Sequence, residues 1–328
     1  ELNAHDVVAT FNKIINPPKG VGSARKAFFL MVDKVHAPDN QTVVFDLKYP
    51  SGAFIPAVAM PYNFVYAKKV LDKNMHFYEK NVLGTGGFQF VEWQLGSHIK
   101  ATRNKNYYRT GQPYLDGTSA IFAKKYSINL QALRGGRAYI QFRGFPPKMR
   151  DDLKKALGKK LTVQQGDWNC VLNVVPNNKV KPFNDARVRR ALSLAIDRWG
   201  GSNYLSKIAI VRTVGGIVYP SHPLAATKSE LHKLAGFWPD LKKSRAEAKR
   251  LLKEAGYPNG FSFTFHNRAV DQPYKIVGTW LIDQWRQIGL KVKQRTQPTS
   301  QFYATLRRKK DFDVSMGFNC QSVVNPLL

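Results

Sequence analysis

The feature that most constrains this chain is the regular alternation of helix-like and strand-like segments over its last third. After residue 184, Val188, Ala191, Leu192, Ala195 and Ile196 recur at i, i+3 and i+4, the stripe of an amphipathic helix. Asn184 stands where a cap is expected, and Arg187, Arg189 and Arg190 face away from the stripe. Residues 244–255 read as a second helix, opened by a Ser244/Glu247 capping pair and stopped by Gly256 and Pro258. Then follow a strand at 261–265, a helix at 275–288 ending on Gly289, a strand at 290–294, a helix at 300–309 and a strand at 312–318. A chain alternating in this way buries its strands only by covering a sheet with helices, so an α/β lobe is expected here.

The first part reads differently. Residues 3–15 place Val7, Val8, Phe11, Ile14 and Ile15 on one helical stripe, with Asn3 to cap it and Pro17-Pro18 to stop it. Two β-like runs, 28–35 and 42–49, are joined by the turn formers Ala37-Pro38-Asp39-Asn40, which predicts a hairpin. A short helix is expected at 54–60. Gly84 to Gly87 (GTGG) then opens a second series of strands at 88–93 and 99–103. No Lys-Ser/Thr follows GTGG and a strand comes next, so it reads as a glycine turn and not as a phosphate loop. Further strands are expected at 119–126 and 139–143 around a helix at 128–133, followed by a basic helix at 149–157 and a buried strand at 168–175. Residues 176–184 form a polar, proline-flanked link. The expected organisation is 1–82 as an accessory part of a first lobe, 83–175 as that lobe proper, and 176–328 as a second lobe.

With 328 residues, 43% of them hydrophobic and 12% aromatic, the chain has material for two or three cores, and disorder is excluded. Lys and Arg number 51 against 22 Asp and Glu, a net charge of +29. Most of the surplus lies beyond residue 100, densest at 148–160 and in the run Arg307 to Lys310. Such a surplus attracts nucleic acid, anionic membrane or acidic partners, yet no helix-turn-helix, zinc-finger, RNP or KH signature accompanies it. A generally basic, solvated surface is the reading adopted. No window reaches the about 18 to 20 apolar residues of a membrane span. The chain opens at Glu1 without a basic and apolar leader, so any targeting peptide is expected to have been removed or to lie outside this sequence. Neither Cys170 nor Cys320 has zinc-ligand company, and the seven histidines form no HxxxH or HExxH pair, so no metal site is expected. With no GxSxG and no spaced acid pair, no catalytic residue and no cofactor are assigned.

Several segments, in order over nearly the whole chain, resemble the family 5 extracellular solute-binding proteins of ABC importers. They are Asn3-Ala4-His5-Asp6-Val7-Val8; Gly84 to Phe88 with Glu92-Trp93; Arg103 to Tyr108 (RNKNYY); Pro113 to Gly117 (PYLDG); Pro182 to Arg198 (PFNDARVRRALSLAIDR); Ala248 to Gly260 (AKRLLKEAGYPNG); and Phe312-Asp313-Val314. The resemblance implies an α/β, two-lobed periplasmic-binding-protein-like fold (type II, cluster C), with mixed sheets covered by helices and a hinge of crossing strands. It implies a monomer exported to the periplasm or cell surface, free or lipid-anchored, that carries a peptide or other small polar solute to permease subunits. Family members also have segments before the first helix and after the last strand, so the chain is expected to lack both terminal segments of the family.

Likeness to the oligopeptide-binding members implies more. Their final inter-lobe strand carries a Cys and, two residues later, an Asp that holds the peptide amine. Here those positions fall on Cys320 and Ser322, and the partner Cys falls on Cys170, which implies a Cys170–Cys320 disulfide, with two free buried thiols as the alternative. Ser322 cannot neutralise an ammonium group, and a basic cleft suits a neutral or anionic solute. Asn319, Gln321, Tyr274 and Arg307 are implied or neighbouring ligand positions, joined as cleft candidates by Trp168, Asn169, Asn267 and Arg268. Core packing stays open for Trp168, a solvated surface for Arg268 and Arg307. An enzyme on a similar scaffold and a polyanion-binding protein remain the competing classes.

Overall fold

The first helix, α1 (Ala4–Ile15), opens where it does because its N-terminal end is satisfied locally. The Asn3 side chain accepts from the His5 and Asp6 amides, and the Asp6 carboxylate accepts from the Asn3 amide, a reciprocal capping box. The computed structural model describes every residue except 1, 124, 142–144, 167–169, 217 and 321–328, and the side chain of residue 308. The chain packs as two compact units, built mainly from Glu1–Ala123 and from Lys124–Cys320.

In the first unit α1 lies over an antiparallel hairpin of β1 (Val32–His36) and β2 (Val44–Leu47). Phe11 meets Phe29 and Phe45 edge-on at 5.5 and 5.0 Å, and Ile15, Val32, Val35 and Ala57 complete a small core. The first β run starts later than expected. Phe28 sits in a short 3-10 turn, Lys26–Phe29, which buries Phe29 and leaves the Phe28 ring against Arg25 at 5.5 Å. Helices α2 (Phe54–Val58) and α3 (Lys68–Lys73) follow, then the antiparallel sheet β3 (Phe88–Gln94), β4 (His98–Arg103) and β5 (Gly117–Ile121) in that order.

The second unit begins with α4 (Tyr126–Arg134) and α5 (Pro147–Leu157) and continues through β6 (Cys170–Pro176), α6 (Ala186–Leu194), α7 (Arg198–Ile208) and α8 (Lys228–Leu231). It ends with α9 (Leu241–Glu254), β7 (Ser262–Arg268), α10 (Ile276–Arg286), β8 (Lys291–Gln297), α11 (Thr299–Tyr303) and β9 (Val314–Cys320). The sheet order is β6-β9-β7-β8. β7 runs parallel to β8 and β9, and β6 is antiparallel to β9. Phe263 and Phe265 alternate into a core with Val188, Leu192, Leu252 and Trp285, so α6, α9 and α10 cover one face of the sheet.

The two packing units divide between residues 123 and 124. β6 pairs with β9 from Cys170↔Cys320 to Pro176↔Val314, which holds it in the second unit's sheet. Residues 139–141 form no strand, and the rest of the strand expected at 139–143 lies outside the described residues. Two caps differ from expectation. Asp185, not Asn184, caps α6, accepting from the Arg187 amide. Asp240 caps α9, accepting from Lys243, while Ser244 is buried inside the helix and donates to the Leu194 carbonyl at 2.7 Å. Helix α7 was not anticipated, because Gly200-Gly201 weakens its local signal. Gly201 is required by close approach: a Cβ there would stand 2.1 Å from the Trp280 ring. Among the described residues no helix is long and apolar enough to cross a membrane, and no group of three or more His, Cys, Asp or Glu is placed to hold a metal.

Candidate functional site

Because β7, β8 and β9 are parallel, their final residues Arg268, Gln297 and Cys320 come to one end of the sheet. β6 runs the other way, so its first residue, Cys170, arrives at the same end. There the two cysteines form the disulfide, with an S–S distance of 2.06 Å. In open α/β sheets this end, where crossovers leave the strands, is where ligands are bound. Of the expected site residues, Asn267, Arg268, Asn319, Cys170 and Cys320 are placed here by the strands, and Tyr274 and Arg307 by the segments that follow β7 and β8. Trp168, Asn169, Gln321 and Ser322 lie outside the described residues.

Arg268 is the centre of the arrangement. Its Nη1 donates to the Tyr274 hydroxyl at 2.5 Å, and Nη2 and Nε donate to Thr299 Oγ1 at 3.0 and 3.3 Å. The guanidinium also lies 4.5 Å from the Tyr274 ring centre and 5.6 Å from that of Tyr303. Arg307 stacks on Tyr303 at 4.7 Å. Two guanidinium groups thus share a tyrosine-lined wall, each contact contributing about 0.5–1 kcal/mol when exposed. Neither has a carboxylate at ion-pair distance among the described residues, whose arginine ion pairs all lie elsewhere. Arg307 is exposed, so its fork of donors faces solvent.

Asn267 has a different job from the one expected. It is fully buried; its Nδ2 donates to the Tyr274 carbonyl at 2.7 Å and to Gln294 Oε1 at 2.9 Å, and its Oδ1 accepts from the Arg268 amide at 2.8 Å. It clamps the 267–274 turn and so aims Arg268, with no donor left for a solute. The clamp needs α10 close to the sheet: a Cβ on Gly278 would stand 2.4 Å from both Asn267 Nδ2 and Gln294 Oε1. Gly278→Ala is therefore expected to lower stability by about 1–3 kcal/mol through overpacking, measurable as a lower urea midpoint with an unchanged slope.

Asn319 is exposed on β9 opposite Val171. Sequence reasoning missed Thr299, Tyr303 and Gln294. Tyr303 had a usable signal, since it stands four residues before Arg307 in a segment expected to be helical. Thr299 and Gln294 had none, because their partners come from other elements.

A model of the family described as bacterial extracellular solute-binding proteins, family 5, middle part, matches residues 1–326. The glutathione-binding protein GsiB of Pectobacterium atrosepticum is 27% identical over 311 residues, covering 94% of this chain and 57% of that protein. Among solved structures, AgaA of A. tumefacien R10 in complex with agropinic acid superposes with a TM-score of 0.81 at 22% identity, over 99% of this chain and 63% of its own. The oligopeptide-binding protein AppA of Bacillus subtilis in complex with a nonapeptide gives 0.79 at 24%, over 98% and 65%. This chain thus spans less than two thirds of each of these relatives, and the structural likeness establishes a periplasmic-binding-protein fold. With that fold, and with a match running from the capped first helix past the last strand, the chain belongs to the bacterial extracellular solute-binding proteins of family 5.

Proposed function

We propose that the protein is the solute-binding component of an ABC-type importer, capturing a peptide or other small polar solute between two lobes and passing it to membrane permease subunits. The observation that carries this reading is the family match over residues 1–326. The protein acts by binding and not by turnover, as a monomer exported to the periplasm or cell surface. Contacts made to the solute from both lobes favour a closed state over an open one, and the closed form is what the permease receives.

The solute carries a carboxylate. Arg307 offers donors that meet no carboxylate among the described residues, and a guanidinium fork matches a carboxylate bidentately. Asn319 is exposed on the last strand, and the sequence offers Ser322, Gln321, Trp168 and Asn169 as further solute contacts; none of these side chains supplies the anion that a free peptide amine would need. Glutathione is the first solute to try, with its amide-capped analogues as controls.

Native mass spectrometry of the purified protein, followed by calorimetric titration with glutathione and short peptides, tests the reading. A bound solute released intact on denaturation supports it. Arg307→Gln is expected to weaken binding of a carboxylate ligand by about tenfold to a hundredfold, the loss of one charge-assisted hydrogen bond or pair. Equal affinity for acid and capped amide, with Arg307→Gln silent, removes the carboxylate assignment; chemical conversion of the solute removes the transport reading.

A further inference from the structure

A cavity of about 460 Å³ lies away from the sheet end described above, between α7 and the segment that runs from Ala209 to α9. Its size falls in the about 300–1,000 Å³ range of small-molecule sites. One wall is the Trp199 indole, fixed in two ways: its Nε1 donates to the Phe237 carbonyl at 2.8 Å, and the His232 ring meets it edge-on at 4.9 Å. Val214 and Pro239 add apolar surface. The charged lining is of one sign. Arg212 and Lys228 both line the cavity, Lys228 Nζ standing 5.5 Å over the Trp199 ring, and no acidic residue does so among the described residues. The neighbouring carboxylates are turned elsewhere: Asp197 and Asp240 accept from the opening turns of α7 and α9, and Glu230 from Thr227. Neither Arg212 nor Lys228 has an ion-pair partner among the described residues.

We propose that this cavity is a second ligand site, taking a small aromatic carboxylate whose ring lies against Trp199 and whose carboxylate is held by Lys228 and Arg212. A flat ring matches the fixed indole face, and an anion replaces solvent around two cations that have no counter-charge among the described residues. The site is independent of the importer reading, because it uses no residue of the sheet-end wall.

The test is calorimetric titration of the whole protein with benzoate, benzamide and acetate, together with intrinsic tryptophan fluorescence. Benzoate is expected to saturate one site, with benzamide and acetate each at least about tenfold weaker, since one lacks the charge and the other the ring. The Arg212→Met/Lys228→Met double variant is expected to reduce benzoate to the benzamide level. Both side chains are exposed and make no hydrogen bond among the described residues, so the fold is retained. Trp199→Phe is expected to remove the fluorescence change, and Arg307→Gln to leave benzoate binding unchanged. Acetate binding as well as benzoate would mean attraction to net charge alone and overturns the proposal. So does equal binding of benzamide, absence of benzoate binding, or loss of binding in Arg307→Gln with the double variant unaffected, which assigns the ligand to the sheet-end wall instead.

Discussion

Trp285→Ala is expected to destabilise the second unit by about 3–5 kcal/mol, the usual range for removing a large buried aromatic side chain. Trp285 is fully buried, with Phe265 edge-on at 5.2 Å and Phe263 at 5.6 Å, so its removal leaves a void flanked by rings already held on a strand. It also does a polar job. Its Nε1 donates at 3.1 Å to the carbonyl of Leu192, in the last turn of α6, where helix carbonyls lack intrahelical partners. The neighbouring carbonyls are met in the same manner: Leu194 by Ser244, Ser193 by Arg198, and Ala195 by Arg245. Burial of Arg198 holds its guanidinium below the usual arginine range, at about 10, so it stays charged at neutral pH while donating to the Ser193 and Gly236 carbonyls. Trp285→Phe keeps most of the volume and loses the hydrogen bond, and is expected to cost about 1–2 kcal/mol. Urea unfolding followed by far-ultraviolet circular dichroism measures both. An alanine effect below that of phenylalanine would show that the core is not organised around this ring.

Removing the Cys170–Cys320 bridge is the second large effect. The bond closes a loop with a sequence separation of 150, and loss of a cross-link of this kind costs about 2–4 kcal/mol, chiefly by freeing the unfolded chain. Cys170→Ser/Cys320→Ser is therefore expected to shift the unfolding midpoint down, and dithiothreitol to shift the wild type equally while leaving the double variant unchanged. A second consequence is local. The bridge ties β6 to β9 at the end of the sheet that carries Arg268 and Asn319, so hydrogen exchange is expected to rise first at the Cys170↔Cys320 end of that ladder and last at Pro176↔Val314. Uniform loss of protection along both strands would show that the bridge does not act on that end in particular.

Much of this architecture was legible in the sequence because its causes are local. The Asn3 and Asp6 box needs only neighbours three residues apart, and Phe263 and Phe265 face one core because strands alternate. The ordered motifs were likewise sufficient to point to the family, and through it to the disulfide, although neither periodicity nor spacing would have paired two cysteines so far apart. Ser244 shows the limit. A Ser and a Glu three residues apart suggested a helix start, yet the helix begins at Leu241 because Asp240 caps it, and Ser244 was needed elsewhere, at the Leu194 carbonyl.

The same division runs through the candidate site. Local sequence determined that arginine, tyrosine and asparagine stand at strand ends and on the segments that follow them. The tertiary structure decided which of those polar groups are spent inside the protein and which stay exposed. Asn267 is consumed by Tyr274 and Gln294, Arg268 is half committed to Tyr274 and Thr299, and Arg307 keeps its donors toward solvent. The physical reason is that a hydrogen bond belongs to a pair, and folding alone brings the second member of the pair within about 3 Å.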